Sequence, residues 1–139
     1  MMEIRSYRED DEGEVAALWE TVFPDAPPWN DPRLDIQRKL SVQRELFFVA
    51  VDDGEVVGTT MAGYDGHRGW VYYVGVAPER RRRGIGAALM RRAEDELRAR
   101  GCPKLNLQVR SSNSSAVGFY VRQGYSVEDR VSMGKRLDD

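Results

Sequence analysis

The stretch from Val74 to Met90 constrains this chain most: an apolar run, Ala77-Pro78, four consecutive arginines (Arg80 to Arg83), Gly84-Ile85-Gly86, and an Ala/Leu/Met continuation. It reads as a strand, a proline stop, a glycine turn and a helix start. The first turn of a helix presents backbone N–H groups with no intrahelical partner, and the helix dipole adds partial positive charge there. A glycine turn at that point makes a cradle for phosphate, and the adjacent guanidinium groups suit the same ligand. The expected ligand is therefore a phosphate-bearing, nucleotide-like cofactor. A Walker A loop would need Gly-Lys-Ser/Thr, whereas Ala87-Ala88-Leu89 follows here. A dinucleotide fingerprint would need a third glycine where Leu89 stands, and too little chain follows for a doubly wound domain. The plainer reading is a helix start beside a solvated arginine face.

The rest of the chain reads as a mixed α+β order around this turn. Glu3 to Arg8 alternates like a first strand, and Asp10 or Asp11 opens a helix carrying Val15, Leu18, Trp19 and Val22. A proline-rich connection, Pro24 to Pro32, leads to a second helix capped by Asp31 and running to about Gln43. Glu45–Val51, Val56–Tyr64 and Trp70–Val76 read as three antiparallel strands, joined by turns at 52–55 and 65–69. The helix after the phosphate turn places Ile85, Leu89, Ala93 and Leu97 on one face. Lys104–Val109 reads as a strand, 111–123 as a short helix, and Tyr125–Val127 with Val131–Leu137 as a final antiparallel pair. The expectation is one domain over 1–139: a single, mostly antiparallel seven-stranded sheet with about four helices.

The 139 residues suffice for a core without disulfides or metal, and the single cysteine, Cys102, rules out an internal disulfide framework. Cys102 reads as a packing residue. No apolar run reaches the roughly 20 residues of a membrane span, and the first residues carry no signal-peptide core, so the expected location is the cytoplasm. Residues 1–69 hold 7 Lys/Arg against 15 Asp/Glu, whereas residues 70–139 hold 14 against 8. The basic half suits an anionic cofactor and the acidic half a cationic amine. The arginines lack the recognition-helix or aromatic-platform pattern of a nucleic-acid binder. No metal and no membrane or nucleic-acid partner is expected.

Arg81-x-x-Gly84-x-Gly86 resembles the Arg/Gln-x-x-Gly-x-Gly/Ala signature of the GNAT acetyltransferases, in which this turn holds the pyrophosphate of acetyl-coenzyme A. A second cluster, Asn113…Phe119-Tyr120…Gly124-Tyr125, resembles the same family. Three shorter segments (28–32, 65–69 and 134–137) are similar to a small bacterial branch, the YpeA-type acetyltransferases. The resemblance spans essentially the whole chain. It implies strands 70–76 and 104–109 splayed around the cofactor, with Val74, Gly75 and Val76 along the pantetheine. It implies Arg81, Arg82, Arg83, Gly84, Ile85, Gly86 and Ala87 around the pyrophosphate, and Asn113 on the coenzyme.

By the same resemblance Tyr120, seven residues and nearly two helical turns beyond Asn113, is the general acid for the leaving thiolate. The bland alternatives make Asn113 a helix cap and Tyr120 a core aromatic. The implied activity is direct transfer of acetyl from acetyl-CoA to a primary amine in a ternary complex. The alternative is a non-catalytic acyl-CoA-binding or sensing module on the same fold. Where some relatives carry a basic Glu, in a Leu-Glu-Val-Arg setting, this chain has Gln108, which cannot take a proton. Asp65, His67 and Tyr72 are the other candidates for base or substrate contact, and Trp29, Asn30 and Asp31 for the acceptor cleft. Trp29 also reads as a packing anchor, and His67 as an exposed turn residue. Exposed sheet edges are compatible with a homodimer.

Overall fold

The apolar run Phe47–Ala50 is buried on both of its faces, which makes it a central strand rather than a half-solvated one. A computed structural model describes residues 2–138 and builds the sheet around this run. The strands are β1 (Met2–Ser6), β2 (Phe47–Asp52), β3 (Glu55–Tyr64), β4 (Gly69–Val76) and β5 (Leu105–Asn106), in the order β1-β2-β3-β4-β5. The first four are antiparallel neighbours, and β5 lies parallel to β4. Four helices accompany them: α1 (Glu12–Val22), α2 (Pro32–Leu40), α3 (Ile85–Ala99) and α4 (Ser114–Arg122). The chain divides into two compact units, Met1–Gln108 with the sheet and three helices, and Val109–Asp139 with α4.

Neighbouring residues of a strand face opposite ways, and this assigns the helices of the first unit to the two faces. The Phe47 ring stacks on Tyr7 at 4.6 Å and on Trp19 of α1 at 5.9 Å. Phe48, next along the strand, has the Arg92 guanidinium of α3 over its ring at 5.2 Å. So α1 covers one face and α3 the other. Leu89, Met90, Ala93 and Leu97 of α3 are buried against the sheet, as their spacing requires. Each large apolar side chain buried this way contributes about 1.5–3 kcal/mol. No helix among the described residues is long and apolar enough to cross a membrane.

Several boundaries differ from the sequence reading. Asp11 does not cap α1 with its side chain. Its carboxylate takes Arg5 Nη1 and Nη2 at 2.8 and 3.0 Å and the Arg8 amide at 2.8 Å. Burial pushes that carboxyl up, but these donors more than offset it and hold it below the usual range. Helix α2 stops at Leu40 rather than near Gln43. Gln43 is left-handed, and its amide pairs with both backbone groups of Tyr64, extending the edge of β3. The strand expected at 104–109 shrinks to Leu105–Asn106, because only Gly69↔Leu105 and Trp70↔Asn106 form a ladder.

The sheet has five strands, not seven. The final pair expected at 125–127 and 131–137 is absent from the described residues. Val127, Val131, Met133 and Leu137 are exposed there by 79%, 88%, 90% and 90%. Their alternation imitates a strand, but a strand exists only where its N–H and C=O groups meet a ladder partner.

Candidate active site

The glycine turn opens α3 as its residues require. Gly84 is the N-cap at φ +77°, in the left-handed region, with nothing within 4 Å of where a Cβ would stand. Glycine is needed for the backbone angle, not for space. No side chain caps this terminus and no acid lies in the first turn. Helices α1 and α2 each carry acids there, and α4 is capped by Asn113. The Ala88 amide is the first to reach back within the helix, to Gly84 O at 3.0 Å, so the Ile85, Gly86 and Ala87 amides keep the unpaired donors of a first turn.

The arginines divide their labour. Half-buried Arg80 donates to Asp52 and lies 3.5 Å from Glu55, which ties the loop to the β2–β3 hairpin. Arg81, Arg82 and Arg83 are exposed, and Arg81 Nε reaches Val76 O at 3.3 Å. Arg82 sits at φ +65°, a strained angle for a side-chain-bearing residue. A helix start with unspent N–H donors, no acid of its own and three exposed guanidinium groups fits a diphosphate.

Strand β4 leads into this turn. Its ladder with β5 ends at Trp70, leaving Val71 to Val76 without a further pair on that side among the described residues. On the other side the register with β3 slips between Thr59 and Met61, where Tyr73 takes φ +53°. A β-bulge re-aims a strand in this way. Four contacts hold it. The Tyr73 ring stacks on Trp19 at 3.8 Å and 9°, and its Oη donates to Asp35 Oδ2. The Tyr73 carbonyl accepts from Thr59 Oγ1 at 2.7 Å, and Thr59 Oγ1 accepts from Trp19 Nε1 at 2.9 Å. Burial, and then the Asp35 carboxylate, push the Tyr73 phenol above its ordinary value. Gly75 lets α1 approach, since a Cβ there would lie 2.9 Å from Val22 Cγ1 and 3.0 Å from Phe23 Cζ.

Beside Tyr73, a cleft of about 180 Å³ opens between the end of α1 and the connection to α2, lined by Trp19, Phe23, Asn30 and Pro32 among others. Of the acceptor candidates, the lining includes Asn30 but neither Trp29 nor Asp31. Trp29 is 55% exposed, and Asp31 caps α2 by accepting from the Arg33 amide at 3.0 Å. Tyr72 is half-exposed opposite Met61. Asp65 and His67 lie in the turn before β4, at the opposite end of that eight-residue strand from Val76. Asp65 Oδ1 accepts the His67 and Arg68 amides at 2.8 and 2.9 Å. Those bonds hold its carboxyl below the usual range. The sequence reading missed Glu20, Asp35, Thr59 and Tyr73; two adjacent tyrosines in a strand that otherwise alternates were the available sign of the bulge.

In the second unit Asn113 caps α4, its Oδ1 accepting from the Ala116 amide at 3.1 Å. The carboxamide NH₂ is not spent in that cap. The Tyr120 ring sits edge-on between Phe119 at 5.0 Å and Tyr125 at 5.8 Å. Burial pushes its phenol up to about 12.

Comparison with known proteins gives these features a family. The acetyltransferase (GNAT) family matches residues 11–125. An acetyltransferase of Yersinia pestis (strain Pestoides F) is 51% identical over 136 residues, covering 98% of this chain and 96% of its own. One from Yersinia pseudotuberculosis matches with the same identity and coverage. Among solved structures, the aminoglycoside acetyltransferase AAC(6')-Iy, bound to the bisubstrate analogue CoA-S-monomethyl-acetylneamine, superposes with a TM-score of 0.81 at 18% identity over 98% of each chain. Ard1 from Thermoplasma volcanium gives 0.79 at 26%, covering 91% of this chain and 84% of its own. With the family match running from the first helix through the phosphate turn to Tyr125, this chain belongs to the GNAT acetyltransferases.

Proposed function

We propose that the chain transfers the acetyl group of acetyl-CoA directly to a primary amine in a ternary complex. The observation that carries this reading is the start of α3: unspent backbone donors, no acidic residue and three exposed arginines at one place. Arg81, Arg82, Arg83, Gly84, Ile85, Gly86 and Ala87 would hold the pyrophosphate, and the Val74–Val76 backbone would run beside the pantetheine amides. Asn113 would add its carboxamide NH₂. Acetyl-CoA supplies a thioester whose carbon–sulfur bond breaks as the neutral amine forms its nitrogen–carbon bond. The nitrogen's surplus proton would pass to water, and the phenolate left after thiolate protonation would regain a proton from water.

Tyr120 would give a proton to the departing thiolate. Like any tyrosine it holds its proton at neutral pH, and the burial that pushes it up to about 12 makes that proton harder to give. Much of the rate would come from holding amine and thioester together. Acetyl-CoA calorimetry on the wild type and on Gly86→Asp, with turnover read by free thiol, tests the reading. The wild type is expected to bind and the variant to lose at least about a hundredfold in affinity, because bulk and negative charge enter the cradle. Equal affinity would refute the cradle. Binding with no turnover on any amine would make the chain a sensor rather than an enzyme.

A further inference from the structure

The cleft beside Tyr73 combines apolar walls with hydrogen-bonding groups of nearly one kind. Phe23, Pro24 and Pro32 form apolar walls, and Trp19 backs Tyr73. The polar side chains in the lining are Glu20, Asn30 and Tyr73. No hydrogen bond or ion pair of the Glu20 carboxylate or of the Asn30 carboxamide is found among the described residues. Tyr73 spends its proton on Asp35 and keeps a lone pair. Glu20, Asn30 and Tyr73 therefore keep acceptor capacity, and Asn30 keeps its NH₂ donors as well. No Lys, Arg or His lines the cleft. At about 180 Å³ it is also smaller than the roughly 300–1,000 Å³ of drug-sized sites.

We infer that this cleft takes a small primary amine with a single apolar group and no carboxylate. The inference rests on the acetyl-transfer reading only for calling that amine the acceptor. An ammonium brings N–H donors to a lining whose polar residues can accept and its charge to the Glu20 carboxylate, and an apolar body suits the ring and proline walls. Acetyl transfer takes the same amine in its neutral form, after it loses one proton to water. An amino acid would bring a carboxylate to a place with Glu20 and no basic group, an unpaired repulsion that selects against it. A long polyamine or an aminoglycoside brings several charges to a lining that offers one carboxylate.

Calorimetry of phenethylamine, phenylalanine, spermidine and a peptide with N-terminal Phe, each into the full chain with coenzyme A present, tests this. Initial rates for the same four with acetyl-CoA form the second arm. Phenethylamine is expected to bind at least tenfold more tightly than the other three and to be acetylated with the highest kcat/KM. Glu20→Gln, on the exposed side of α1, should weaken phenethylamine by roughly fivefold, the scale of one solvent-exposed ion pair, and leave acetyl-CoA affinity unchanged. Phe23→Ala should weaken it further. Absent phenethylamine binding, equal binding of phenylalanine, spermidine or the peptide, or indifference to Glu20→Gln would overturn the assignment. Phenethylamine binding without turnover would keep the cleft assignment and overturn acetyl transfer instead.

Discussion

Tyr120 and Tyr73 show how surroundings set one residue type apart from another of its kind. Tyr120 is packed among aromatic rings with only burial acting on its phenol, and it holds its proton at neutral pH. Tyr120→Phe keeps the ring and removes the proton. Turnover should fall by about a hundredfold, the low end for a general acid, while acetyl-CoA affinity stays within about twofold. Full activity in a pre-steady-state assay would take Tyr120 out of the mechanism. Tyr73 instead directs its hydroxyl to Asp35 and its carbonyl to Thr59, holding a left-handed angle that its own side chain disfavours. Tyr73→Phe and Asp35→Ala each remove that hydrogen bond and should lower the melting temperature by a few degrees, near about 1 kcal/mol. Their combined effect should be less than additive, since both changes break the same bond. Strict additivity in thermal melts would show that the two side chains act independently.

At the scale of elements, α3 carries part of the core and the proposed cofactor cradle. Its inner face buries Leu89, Met90, Ala93 and Leu97, and its uncapped start follows directly on the exposed arginines. These duties are separable by mutation. Leu89 is fully buried, so Leu89→Ala should cost about 2–5 kcal/mol in chemical denaturation through lost contacts and a cavity. Gly84→Ala fills empty space but cannot rest easily at φ +77°, so it should cost about 1–2 kcal/mol and weaken coenzyme binding by moving the first amides. A Gly84→Ala protein with wild-type stability and affinity would show that the left-handed cap is dispensable. The four-residue apolar spacing of Ile85, Leu89, Ala93 and Leu97 made α3 legible in the sequence. The bulge in β4 was not, because a slip of register depends on the partner strand and on Trp19 and Thr59, which lie elsewhere in the chain.

Across the whole molecule, buried phenols set an upper limit of pH. Burial pushes Tyr7 and Tyr120 each to about 12, and Tyr73 is raised as well. In the unfolded chain such phenols ionise near 10. Below pH 10 both states hold the protons and stability is unaffected. As pH rises from 10 to 12, the unfolded chain loses its protons first, so stability falls through that window. Thermal melts taken at each pH, with tyrosinate absorbance as the second readout, should show the fall; a flat profile to pH 12 would mean that these rings are open to water.

What the residues alone determined was local. Helix periodicity, the Gly84 turn and the Asp31 cap depend on neighbours within a few positions, where propensity and hydrogen-bond demand act directly, and the three-stranded antiparallel run on short turns between consecutive strands. Tertiary structure decided what needs a distant partner. It set which arginine anchors the loop and which three face solvent, kept residues 125–137 out of the sheet for want of a ladder, and built a polar-tipped cleft at Tyr73. Pairing and burial are properties of two segments at once, and one segment's composition does not contain the other's position.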